Sequence, residues 1–201
     1  MKKKILSVCL VVAIAVLAIA GASLAYFTDN EEATNTFTFG NVDIELTEDN
    51  WVAPEYAVPG VAYAKDPVVT NIGNNDAWIK VDVTLSDAEA FMAAAAKYGI
   101  TDLSTIFTID EDFDDNWTLA DTNLDGAKDT LTYSYYYEKL LAEGEDTGAL
   151  FTAVTIPKQF NNAEMAEVGN DFTVTITAHA MQDANFENVA AAFAEYTFEA
   201  N

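Results

Sequence analysis

The sequence contains no arginine, one histidine and one cysteine. Each scarcity removes a class of chemistry. The lone His179 rules out a His-Glu-x-x-His zinc site, which needs two imidazoles one helical turn apart. Cys9 lies near the start of an N-terminal apolar run, too early for a lipobox. The chain beyond that run therefore has no thiol for catalysis and none for a disulfide, and its stability rests on packing. No Gly-x-Ser-x-Gly elbow occurs, which leaves no motif for an activated serine. No Leu-Pro-x-Thr-Gly signal occurs either, so wall anchoring by that route is not expected. Positive charge is scarce, with nine lysines against 33 acidic residues and a net charge of −24. Such a surface repels phosphate backbones and anionic lipid headgroups, so nucleic acid and bare membrane are not expected partners. It suits solvation outside the cell, divalent cations or cationic polymers.

What is present begins with a leader. Lys2, Lys3 and Lys4 precede an apolar run over residues 5–20, and Ser23 and Ala25 place small residues at the −3 and −1 positions of a cut between Ala25 and Tyr26. This is the pattern of a secretory signal peptide over residues 1–25. Residues 5–25 are also about long enough to span a bilayer, so an uncleaved anchor is the alternative. Cleavage removes three positive charges and no negative ones, which takes the mature chain to −27. Residues 26–201 are one domain's worth of chain, and 12% aromatic content is too rich for disorder.

The mature chain opens on Tyr26 and Phe27, followed by a polar run and then Phe37 and Phe39 on one face of a short alternating stretch. The apolar phase shifts across Gly40 and Asn41 to Val42, Ile44 and Leu46, which predicts two strand segments joined by a bulge. Residues 61–70 read as a strand interrupted at Asp66 and Pro67, and residues 77–85 alternate cleanly. A Gly/Asn turn between them predicts a hairpin, with Trp78 on the outer face under a loop or facing a partner. One helix is expected over residues 87–98, with Ser86 as N-cap, Glu89 completing a capping box, Ala93 to Ala96 favouring helix and Gly99 as the stop. Residues 100–109 are ambiguous, residues 110–115 form an acidic loop, and Trp117 opens a strand. Leu131, Tyr133, Tyr135 and Tyr137 share one strand face. A turn over residues 144–148 precedes a strand over 149–156, residues 162–168 fit one or two helical turns, residues 172–180 alternate, and a short helix covers 188–194. Seven to nine strands with one helix (about residues 86–98) and short accessory helices predict an antiparallel β-sandwich of jelly-roll or Ig-like type.

Four segments, AYFTDNEEATNTFTFGNVDIEL, PGVAYAKDPVVTNIGNNDAWIKVDV, SYYYEKLLAEGEDTGALFTAVTIP and FTVTITAHAMQDANF, together resemble the TasA and camelysin-like secreted proteins. The resemblance covers most of the mature chain, in family order. It implies a jelly-roll sandwich exported by Gram-positive-type bacteria, with a leader cut by a SipW-type signal peptidase and a place in the biofilm matrix or at the cell surface. In TasA-like members the N-terminal strand of one subunit completes the sheet of the next, which yields head-to-tail fibres. The expected partners are then further copies of the chain, the signal peptidase during export and other matrix components. Transferred here, residues 26–46 form the donor strand, with Tyr26, Phe27, Phe37 and Phe39 filling the neighbour's groove. The alternative is that the Phe37 and Phe39 stretch pairs within its own sheet.

Camelysin-like relatives are described as metalloproteases, which makes a secreted protease a second functional reading, and a non-polymerising, calcium-stabilised surface module is a third. No catalytic residue is expected from the motifs, since His179 lies on the polar face of a strand and Asp183 and Glu187 are not spaced to fix a metal. The best ion-binding candidate is Asp121, Asn123, Asp125 and Asp129, with Gly126 at the sixth position, which follows an EF-hand-like calcium loop. It departs at the twelfth position, where Thr132 replaces the bidentate glutamate, and its flanks read as strands. An Asp-Gly hairpin turn is the competing reading. Calcium is the one cofactor the sequence offers.

Overall fold

The computed structural model describes residues 41–109, 116–169 and 172–194, all within the unit Gly40–Asn201. The expectations placed on Ala25, Tyr26, Phe27, Phe37 and Phe39 and on the acidic run at 110–115 lie outside the described residues.

The fold is mostly β, as expected, and its strands are antiparallel. Strands β1 (Ile44–Thr47), β3 (Val68–Asn71) and β8 (Asp146–Ala149) form one sheet in the order β1-β3-β8. Strands β2 (Ala62–Ala64), β9 (Ala153–Thr155) and β5 (Phe107–Thr108) form a second, in the order β2-β9-β5. The largest sheet runs β10-β4-β7-β6, from β10 (Val174–Gln182) through β4 (Ala77–Leu85) and β7 (Thr130–Tyr137) to β6 (Trp117–Asp125). Helices α1 (Ala88–Ala96), α2 (Asn162–Val168) and α3 (Val189–Ala194) and a 3-10 turn at Leu103–Ile106 fill the connections.

Alternation places the core. Ala77, Ile79, Val81, Val83 and Leu85 of β4 and Leu131, Tyr133, Tyr135 and Tyr137 of β7 are all buried on the inner face. Val174, Ile176, Ala178 and Ala180 of β10 face the same core but are only half-buried. On the outer face, Trp78 is covered by α3, packing with Val189, Ala192 and Phe193 rather than under a loop. Helix α2 has the full capping box, with Asn161 Oδ1 accepting from the Ala163 N–H and Glu164 Oε2 accepting from the Asn161 N–H.

Four local expectations are corrected. The hairpin of residues 61–70 with 77–85 does not form, because β3 pairs with β1 and β8 while β4 pairs with β7 and β10. The cause lies in the connecting turn. Asn71 is fully buried, and its amide donates to the Asn75 and Leu141 carbonyls and accepts from the Gly73 N–H. The N–H groups of Ile72 and Gly73 go to Asp43 O, not across a hairpin. Gly73 is required there, since a Cβ would lie 2.6 Å from Asn41 O and from Asp43 N. The stretch 61–70 is two strands in different sheets, β2 and β3, divided at Asp66 and Pro67. The stretch 149–156 is likewise divided, because Leu150 and Phe151 leave the strand to enter the core, and β8 begins inside the predicted turn at 144–148.

The fourth correction concerns the start of α1. Ser86 does not cap it. Its hydroxyl donates to Asp87 Oδ2 and accepts from the Thr173 N–H, while Asp87 sits at the N-cap with φ 48° and no side-chain bond to the helix. The cap comes from the β6–β7 turn instead. Asp129 Oδ1 accepts from the Glu89 N–H at 2.8 Å and Asp129 O accepts from the Ala88 N–H. At the other end Gly99, at φ 76°, allows the Ile100 N–H to reach Ala95 O, as the sequence predicts. Asp129 itself has φ 51°. Asp129→Ala is therefore expected to cost about 1–2 kcal/mol, lowering the thermal midpoint by several degrees, while Asp129→Asn, which keeps an acceptor and tolerates that φ, stays near wild type in the same melting experiment.

Candidate functional site

Three places are candidates for a site. The largest is a cleft of about 1310 Å³ whose apolar lining includes Phe91 of α1, Val154 and Ile156 at β9, Phe160, Phe172 and Val174. Phe91 stacks on Phe172 with centroids 4.8 Å apart and meets Phe160 at 5.2 Å. Helix α2 forms part of the wall and is held beside α1 by Lys97, whose Nζ lies 2.6 Å from Glu167 and 3.7 Å from Glu164.

Residues 51–61 frame the opposite side. They carry an unusual share of exposed apolar surface: Trp51, Val52, Tyr56, Val58 and Val61 are all exposed, with Tyr56 at 79%. The loop is nevertheless anchored. The Val58 N–H donates to Tyr63 Oη at 2.7 Å, and the Gly60 N–H donates to Ile156 O at 2.9 Å. Beneath it Lys65, only 5% exposed, is neutralised by Glu48 at 2.6 Å and lies 4.9 Å from the Trp51 ring centroid. Strand β10 is an edge strand, paired only with β4 among the described residues. Its inner face contributes Val174 to the cleft.

The second place is the outer face of the large sheet. Register sets Thr177, Asp82, Ser134 and Asp121 in one row across β10, β4, β7 and β6. Asp82 is the hub. Ser134 Oγ donates to its Oδ1 at 2.6 Å, His179 Nε2 lies 3.0 Å from Oδ2, and Lys80 Nζ lies 3.2 Å from Oδ1. Burial pushes the Asp82 carboxyl up, but the bonds from His179 and Ser134 and the charge of Lys80 outweigh it and hold the group below its ordinary value. Serine, histidine and aspartate meet here in the wrong order for nucleophilic catalysis. The carboxylate stands between the other two and takes the serine proton's hydrogen bond itself, whereas a triad needs the imidazole at the hydroxyl.

The third is the calcium candidate. Asp121, Asn123 and Asp125 lie along β6 and Asp129 ends the turn to β7, so the four residues are spread along a hairpin rather than wound round a point. Asp125 Oδ1 accepts from the Ala127 and Lys128 N–H groups, Asp121 Oδ1 from the Thr122 N–H, and Asp129 Oδ1 caps α1. Among the described residues no group of three His, Cys, Asp or Glu side chains is placed to hold a metal ion.

The family model of camelysin metallo-endopeptidase matches residues 1–125. The chain belongs to this family. No curated protein and no solved structure matches it. The camelysin description implies a metal, and the donor set does not fit a zinc centre of the usual kind. The matched residues 1–125 contain no histidine at all, and His179, beyond them, is engaged with Asp82.

Sequence reading missed the Asp82 hub, because its members are brought together by strand register across 97 residues of chain. It also missed residues 51–61 as a wall, although two prolines among exposed aromatics were a visible sign. Because the Asp82 pKa is depressed in the fold, its contribution to stability is complete above the unfolded value of about 3.9 and is lost as pH falls through the lower folded value. Asp82→Asn is accordingly expected to melt below wild type at neutral pH, with the gap closing below about pH 4 in melts taken across the acid range.

Proposed function

We propose that this camelysin-family chain is a secreted structural protein of the cell surface or biofilm matrix, whose copies join when the N-terminal segment of one enters the cleft of the next. Its leader is cut after Ala25 by a SipW-type signal peptidase, which frees Tyr26 as the new terminus. The observation that carries this reading is the conjunction of a large, partly apolar cleft with a half-buried strand, β10, which among the described residues lies at the sheet edge and lends Val174 to the cleft. An edge strand presents a row of unpaired N–H and C=O groups, and an added strand satisfies them while its side chains fill the pockets alongside. Phe27, Phe37 and Phe39 are apolar enough to do so. Ile44–Thr47 is already paired with β3 in its own sheet, which confines the donated stretch to residues before it. A head-to-tail contact of this kind does not close and so propagates as a fibre.

Protein beginning at Tyr26 is expected to form filaments visible by negative-stain microscopy, while protein lacking residues 26–39 stays unassembled. Equal assembly of the two overturns the reading. The family description favours a second one, a metal-dependent protease. It requires chelator-sensitive cleavage of casein by protein free of host proteases. Activity that persists in His179→Ala excludes a centre built on that histidine.

A further inference from the structure

We infer that Lys158 is the ionic latch of the cleft, taking a carboxylate from the acidic N-terminal segment of a second copy. This rests on the assembly reading above and adds to it the contact that sets charge and position.

Lys158 belongs to the cleft lining and is exposed. Among the described residues it has no hydrogen-bond or ion-pair partner, and in this it differs from the other lysines described. Lys65 is paired with Glu48, Lys80 with Asp82, Lys97 with Glu164 and Glu167, and Lys128 with Asp125, while Lys139 donates to Asn116. In a chain with 33 acidic residues, a lysine left over at the lip of an apolar cleft is the exception.

Its base is held firmly. A Cβ at Gly60 would lie 2.9 Å from Lys158 Cβ, so the backbone of the 51–61 loop packs directly on the stem of the lysine. Gly60 also has φ +81° and donates to Ile156 O, which ties that contact to β9. The stem of Lys158 is thus held against the wall of the cleft.

The entering segment supplies the opposite sign. Asp29, Glu31 and Glu32 lie between Phe27 and Phe37, and no lysine occurs between Lys4 and Lys65. Two mature copies, each strongly negative, repel at a distance, and a local match of sign at the point of entry offsets that repulsion and selects the register. An exposed pair is modest in strength, so its removal slows assembly by a small factor, whereas reversal adds repulsion.

The test uses the whole mature chain beginning at Tyr26, with filament elongation followed by light scattering and sedimentation. Lys158→Gln is expected to slow elongation about three-fold and Lys158→Glu about ten-fold, with the differences shrinking in about 0.5 M salt as the pair is screened. Combining Lys158→Glu with Glu31→Lys and Glu32→Lys restores elongation toward wild type. If Lys158→Glu elongates like wild type, or is slowed and not rescued by the reversed segment, the latch is overturned while the assembly reading stands. If the unaltered mature chain forms no filaments, both fall together. Unassembled Lys158→Gln is expected to melt with wild type, and a lower melting point would assign the lysine a role inside its own subunit and overturn the latch.

Discussion

Burial of the inner face of β4 is the constraint on which the rest of the molecule depends. Ile79, Val81, Val83 and Leu85 are at most 1% exposed, and the strand that carries them is bonded on both edges, to β10 and β7. Fully burying one such side chain is worth about 1.5–3 kcal/mol, against a net stability of about 5–15 kcal/mol for a domain. The outer face of the same strand holds Trp78 under α3 and Asp82 among Lys80, Ser134 and His179. One strand therefore organises an apolar layer on one side and a charged hub on the other. Its neighbour β10 inherits both, with a core side only half covered and His179 on the opposite side.

The cleft is composite in a way that bears on the family. Residues 51–61 and Phe91 come from the part that matches camelysin, residues 1–125. Lys158, Phe160, Phe172 and Val174 come from beyond it. The cleft is therefore built jointly by the family-matched part and by a C-terminal part outside that match.

Much of this was legible in the sequence where a local rule governed. Alternation set the buried faces of β4 and β7, with Leu131, Tyr133, Tyr135 and Tyr137 all inward, and the Gly99 stop of α1 followed its residue type. The failures share a physical cause, which is a partner distant in the chain winning over the nearest one. The buried amide of Asn71 drew its turn away from a hairpin, and Asp129 displaced Ser86 as the cap of α1. The cleft itself was not readable, because its aromatic residues look like ordinary core positions until the spacing of the sheets is known. Lys158 carries no sequence signal whatever, since a lysine without a partner is defined only by its surroundings.

The cap supplied by Asp129 has a consequence for the order of events in folding. Helix α1 spans nine residues, well short of the length at which an isolated helix holds in water. The groups that complete its first turn come from a position 40 residues further along. As the chain is synthesised from its N-terminus, the α1 segment emerges well before the residue that finishes it. Until β6 and β7 have closed their turn, the first turn of that segment lacks the acceptors that complete it. Completion of α1 is thus coupled to closure of one hairpin through a single aspartate.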